Sequence, residues 1–180
     1  MLRSDAALRR DQILDAADAV FSSHGVTAPL ELVVARAGVG RATLYRNFPD
    51  RAALMDALFE RALAGLEREA PGLDLFALLE QVALRIAESP AVTDYWRAVE
   101  PGHPMARSGR ERLARLFRAP LAAAIAGGAC RADLRPADVA LACGMLGAAL
   151  RANTPARRRE QVRRALDLLT AGIAVPRRSR

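Results

Sequence analysis

At 180 residues the chain is long enough for one ordinary domain, or for a small head with a larger body. Its residues are 52% hydrophobic, with Ala dominant, 26% charged and 4% aromatic, which favours an all-α fold over a sheet. The net charge of +7 is carried by Arg without any Lys and sits at one end: residues 151–180 hold nine Arg against two acids, while residues 1–51 and 52–150 are close to neutral. Overall basicity therefore gives no argument for nucleic acid at the N-terminal end. No apolar run approaches the ~18–20 residues of a membrane span. The opening MLRSDAALRRDQ lacks the apolar core of a signal peptide, so a cytoplasmic location is expected. Cys130 and Cys143 have neither disulfide-framework nor metal-ligand spacing and read as small buried apolar side chains.

The first helix is expected over about residues 6–23, with Leu8, Ile13, Ala17, Val20 and Phe21 on one stripe. Gly25 suits a left-handed cap, and His24 beside it suits the negative end of the helix. Pro29 is placed to open a second helix, which stops at Gly38. After a turn at Val39-Gly40, a short third helix covers Arg41 to about Asn47. Phe48-Pro49-Asp50 breaks the chain, and Asp50 is a candidate N-cap for a fourth helix carrying Leu54, Leu58, Ala62 and Leu66. Further helices are expected over 73–89, 93–99, 107–126, 136–153 and 156–174, about nine in all with no strand. The tail 176–180 is expected to be disordered.

Residues 31–48, ELVVARAGVGRATLYRNF, carry the functional signal. A helix-turn-helix needs one short helix to brace a second across a tight turn, so that the second can enter the major groove. Ala37 is small where the helices approach, Gly38 can adopt positive φ, and Val39 can plug the core below the turn. Leu44 and Phe48, four apart, anchor the inner face of the third helix. Arg41, Ala42, Thr43, Tyr45, Arg46 and Asn47 are left for the outer and N-terminal faces, a set suited to phosphate and base edges. Tyr45 could instead cap the core of the head, and Arg46 could be an ordinary solvated side chain.

The segments FSSHGV and VVARAGVGRATLYRNFPDRAALMDAL resemble the DNA-binding head of the TetR (tetracycline-repressor) family of bacterial regulators. The matching elements are the turn Ala37-Gly38-Val39, the core Thr43-Leu44-Tyr45, Phe48 and the basic Arg51. The resemblance implies phosphate contacts from Thr43 and Tyr45, a phosphate clamp at Arg51, and base-edge reading near Arg41 and Ala42. Pro29 and Leu30 stand where the family commonly has threonine, so Thr27 is the candidate for that backbone anchor. Asn47 replaces a commoner His or Tyr and can still donate to phosphate. Glu31 near this face either repels phosphate or accepts from cytosine N4. Val33-Val34 replaces the usual Ile-Ala pair.

The resemblance divides the chain into a helix-turn-helix domain at 1–51, a ligand-binding and dimerisation domain of about six helices at 52–175, and a basic tail at 176–180. It implies a homodimer through helices 136–153 and 156–174, double-stranded DNA with a palindromic operator as partner, and release of a repressor by a small-molecule effector. Val139, Ala142, Cys143, Leu146 and Leu150, with Gly144 and Gly147 adjoining, read as a seam between helices, joined by Leu166, Leu169 and Ile173. Phe76, Trp96, His103, Met105 and Phe117 are the candidates for lining an effector cavity, with core packing and surface exposure as the plainer readings. There is no HExxH, no Cys-His cluster and no paired-carboxylate motif, so no enzyme activity, catalytic residue, metal ligand or cofactor is expected. The competing reading is a helical interaction protein that uses its basic C-terminal helix without ligand control. The run Arg157-Arg158-Arg159 reads first as a solvated face, with auxiliary contact with DNA or another acidic partner as the alternative.

Overall fold

The computed structural model describes residues 5–100, 102–148 and 154–174. Among them nine helices follow in order: α1 (Asp5–His24), α2 (Leu30–Ala37), α3 (Arg41–Asn47), α4 (Arg51–Glu69), α5 (Leu75–Glu88), α6 (Pro90–Ala98), α7 (Pro104–Ala126), α8 (Pro136–Ala148) and α9 (Pro155–Ile173). The one pairing of extended chain among the described residues is an isolated bridge between Cys130 and Ala174. The fold is all-α, as composition and periodicity require. No helix of the described residues is long and apolar enough to cross a membrane. The expected end of the 136–153 helix, with Leu150, and the tail 176–180 lie outside the described residues.

The chain forms two compact units. The first comprises Met1–Arg61 together with Ser89–Trp96. Its core is Ile13, Ala17, Val20 and Phe21 of α1, Val33 of α2, Leu44 and Phe48, and Leu54, Met55 and Leu58 of α4, all buried. Leu8 departs from the expected inward stripe, because residues 5–10 are all exposed and α1 runs on beyond its own packing. Pro29 sits one position before α2 and not within it. Its ψ of 136° is extended, and its carbonyl accepts from the Leu32 amide at 3.1 Å. Asp50 is the N-cap of α4, its Oδ1 accepting from the Ala53 amide at 2.7 Å.

The unit does not end at residue 51. Leu54, Met55 and Leu58 are at most 2% exposed, so the start of α4 belongs to the same core. α6 joins it from far along the sequence. Ser89 Oγ donates to Asp18 at 2.6 Å and Tyr95 Oη donates to Asp56 at 2.8 Å. The rings of Phe59 and Trp96 stack with centroids 4.6 Å apart and planes 6° from parallel.

The second unit comprises Ala62–Glu88 and Arg97–Arg180. Helix α5 is its hub, packed against α7, α8 and α9. Leu75, Leu78, Leu79 and Val82 of α5 share a buried cluster with Phe117 and Leu121 of α7, Val139 and Cys143 of α8, and Ile173 of α9. Ala83 and Ala87 meet Leu146 and Val162 in a second cluster. Asp74 caps α5 through the Ala77 amide at 2.8 Å, and Thr154 caps α9. The Arg131 amide donates to the Ile173 carbonyl at 3.0 Å and pins the end of α9. Burial pushes the Cys143 thiol up to about 12, in keeping with a small apolar core side chain.

Candidate nucleic-acid interface

The turn between α2 and α3 is built by its backbone. Gly38 follows α2 at φ +64°, where its amide donates to the Ala35 carbonyl at 3.4 Å. The Val39 amide donates to the Val34 carbonyl at 3.3 Å, which completes a Schellman-type closure. A Cβ at Gly38 would meet nothing within 4 Å, so the position needs glycine for its dihedral and not for room. Gly40, at φ −74° and ψ 151°, then opens α3, its carbonyl accepting from the Thr43 amide at 2.9 Å and the Leu44 amide at 3.2 Å.

Helix α3 turns Leu44 and then Phe48 into the core at 1% and 2% exposure. With those two inward, Arg41, Ala42, Tyr45 and Arg46 are exposed, and Thr43 and Asn47 are half-buried. The polar groups are organised before any partner arrives. Arg46 Nη2 donates to Thr43 Oγ1 at 3.2 Å, and Asn47 Nδ2 donates to the Thr43 carbonyl at 2.8 Å. Arg41 lies 3.5 Å from a carboxylate oxygen of Glu31 and 5.7 Å from the centre of the Tyr45 ring. Glu31 is thus an ion-pair partner of Arg41. Both side chains are well exposed, so the pair is weak and salt-screened.

The remaining expected contacts are placed differently. Thr27 is exposed on the loop before α2. Arg51 is half-buried: its Nη1 donates to the Val26 carbonyl at 2.6 Å, and its guanidinium lies 5.4 Å from the centre of the Phe21 ring. It ties the start of α4 to the α1–α2 loop. Arg10 of α1 was absent from the expected set, yet its guanidinium lies 4.3 Å over Phe48 and donates to the Asn47 carbonyl at 3.1 Å. No local pattern could reveal a contact across 37 residues; only the arginine and the buried phenylalanine themselves are visible in the sequence.

Of the five candidates for an effector cavity, Phe76 alone lines the groove of the second unit, and it packs against the cluster that holds Phe117. Trp96 belongs to the first unit, stacked on Phe59. Phe117 is fully buried in the second unit's core, His103 is exposed ahead of α7, and Met105 is half-buried in its first turn. Phe76 lines a groove of about 710 Å³ in the second unit, with Leu73, Leu116, Pro120, Ala124 and Arg115 among its walls. Sequence reading missed those groove residues because none of them stands out from an ordinary helix. Among the described residues, no group of three or more His, Cys, Asp and Glu is placed to hold a metal ion.

A short α2, a left-handed glycine turn and an α3 with a polar outer face define a helix-turn-helix regulator. Residues 13–58 match the family model described as bacterial regulatory proteins, tetR family. The TetR transcriptional regulator SCO0520 from Streptomyces coelicolor is 34% identical, covers 93% of this chain and 99% of its own, and has a TM-score of 0.67. The TetR-family protein CprB from S. coelicolor A3(2) shares the fold at 22% identity, over 96% of this chain and 92% of that one, with a TM-score of 0.67. A TetR transcription regulatory protein from Mycobacterium vanbaalenii shares it at 24% identity, over 97% and 100%, with a TM-score of 0.66. No curated protein matches the chain. The chain belongs to the TetR family of bacterial transcription regulators.

Proposed function

We propose that this protein is a homodimeric repressor that binds a palindromic operator through α3 and leaves it when a small molecule occupies the second unit. The observation that carries the DNA-binding part is the outer face of α3. Arg41, Ala42, Tyr45 and Arg46 stand exposed while Leu44 and Phe48 hold the helix from beneath. In this reading Arg41 and Ala42 meet base edges, and Thr43, Tyr45, Arg46 and Asn47 meet phosphate, with Thr27 at the entry to α2. Arg51 keeps unused donors in its fork beyond the one given to Val26, so a phosphate contact and a structural tie are compatible in one side chain.

The dimer reading rests on the outward faces of α8 and α9. Leu141 and Leu168 are each 66% exposed and Met145 is 53% exposed, the three most exposed large apolar side chains among the described residues. Gly144 and Gly172 lie on the same helices with open space around them, which lets a second backbone approach closely. Val139, Ala142, Cys143 and Leu146, expected at the seam, face the core of their own subunit, so the outward set replaces them as the proposed interface. Two heads related by a two-fold axis match two half-sites about 34–36 Å apart or a multiple of that spacing. The groove beside Phe76 is large enough for a drug-sized effector with an apolar body. Effector binding would act as a population shift between DNA-competent and DNA-released states.

The test is a nuclease footprint on the protein's own promoter region. Two symmetric protected half-sites at that spacing are expected. Absence of any protected site there and across a random-sequence selection would overturn the reading.

A further inference from the structure

We infer that Arg10 is a positioning residue for the recognition helix, clasping the C-terminal end of α3 so that its outer face is presented in one orientation. The inference rests on the DNA-binding reading of α3 and adds a residue that lies outside the helix-turn-helix. The last carbonyls of a helix have no amide within the helix to accept from, and they form the negative end of its dipole. In α3 one of these, the carbonyl of Asn47, accepts from Arg10 Nη1 at 3.1 Å. The same guanidinium lies 4.3 Å over the ring of Phe48, the residue that closes the helix and is 2% exposed. A flat, delocalised cation can stack on a ring and donate in its own plane at once; an ammonium group has neither a plane to stack nor that rigid fork.

The clasp continues into the polar face. Asn47, held by its carbonyl, sends its side-chain amide back to the Thr43 carbonyl, and Arg46 donates to the Thr43 hydroxyl. Arg10 therefore stands at the base of a chain of contacts that ends on the groups proposed to meet DNA. At only 7 residues, α3 has few internal bonds to fix its own end, so an external tie carries more weight than it would on a long helix. Arg10 comes from α1, whose Ile13, Ala17, Val20 and Phe21 are anchored in the core, so the tie has a fixed base.

The experiment compares the full-length protein with Arg10→Gln, Arg10→Lys and the neighbouring control Arg9→Gln. Amide hydrogen exchange is read without DNA, and affinity for a footprinted operator and a scrambled fragment is read across salt concentrations. Both Arg10 variants should speed exchange at the Asn47 and Phe48 amides by about tenfold while the Val20 and Phe21 amides stay protected. Arg9→Gln should leave α3 exchange unchanged. Operator affinity should fall by about five- to tenfold in both Arg10 variants, with the scrambled fragment less affected and the salt slope unchanged. Unchanged exchange in α3 would overturn the clasp. A salt slope lower by about one with unchanged exchange would make Arg10 a phosphate contact instead. If the unaltered protein binds no promoter fragment, the DNA-binding reading fails, and the exchange data still decide separately whether the clasp exists.

Discussion

The two compact units solve different problems with the same helix-forming alphabet. The first unit fixes geometry with single directional contacts: a glycine at φ +64°, a carboxylate cap on α4, Arg51 on the Val26 carbonyl and Arg10 on the Asn47 carbonyl. The second unit has directional contacts too, in the Asp74 cap and the Arg112–Glu67 pair, but its helices gather around α5 through two apolar clusters and turn large apolar side chains outward on α8 and α9. Directional contacts suit a surface that must match the fixed pattern of a DNA groove. An apolar surface suits a partner whose shape can adjust by repacking.

The contrast can be broken first at the outward apolar face. If the proposed dimer forms through this face, Leu168→Arg should make the protein monomeric in sedimentation and lower operator affinity by about a hundredfold or more, since two linked heads gain from effective concentration. A Leu168→Arg protein that stays dimeric would remove α9 from the proposed interface. A second test compares two glycines that both have open space at the Cβ position. Gly38→Ala should cost about 1–2 kcal/mol in denaturant unfolding, because the left-handed conformation resists a Cβ. Gly144→Ala, within regular α8, should raise monomer stability by up to about 1 kcal/mol through helix propensity, yet weaken the dimer if a partner helix packs there. Equal effects at the two sites would erase the distinction between a glycine needed for its dihedral and one needed for approach.

The smallest effect concerns the contact that brings α6 to the first unit. Burial, followed by the bond to Asp56, pushes the Tyr95 phenol up to about 12. The neutral form is the one the fold favours, so this stabilisation is complete below the ordinary tyrosine pKa of about 10 and is lost as pH rises through about 12. Tyr95→Phe should remove about 1 kcal/mol at neutral pH and abolish the late step in the ultraviolet tyrosine titration. A titration unchanged by the substitution would show that Tyr95 is not the high-pKa group.

Much of the first unit was legible because its determinants are local. Gly25 and Gly38 permit the positive φ that ends their helices, Asp50 reaches an amide three residues on, and Leu44 and Phe48 follow the helical repeat. Tertiary contacts were not. The arrival of α6 depends on Ser89 meeting Asp18 across 71 residues, which no window of sequence contains, and the Arg10 clasp was invisible for the same reason. In the second unit the helices were legible but their facing was not. Helix α8 is apolar on nearly every side, so periodicity could not separate Val139 and Leu146, which turn inward, from Leu141 and Met145, which turn outward. Among the cavity candidates the conspicuous aromatics go mainly to packing: Phe117 to the core and Trp96 onto Phe59.

The central claim is that the outer face of α3 reads DNA, and its most direct measurement is equilibrium binding of the footprinted operator against a scrambled fragment, using Arg41→Ala and Tyr45→Ala. Both side chains are exposed, so neither change should disturb folding. Arg41→Ala should lower operator affinity by about tenfold and narrow the gap to the scrambled fragment, as loss of a base contact does. Tyr45→Ala should weaken both fragments to a similar degree, as loss of a phosphate contact does. Wild-type affinity for the operator in both variants would contradict the claim outright.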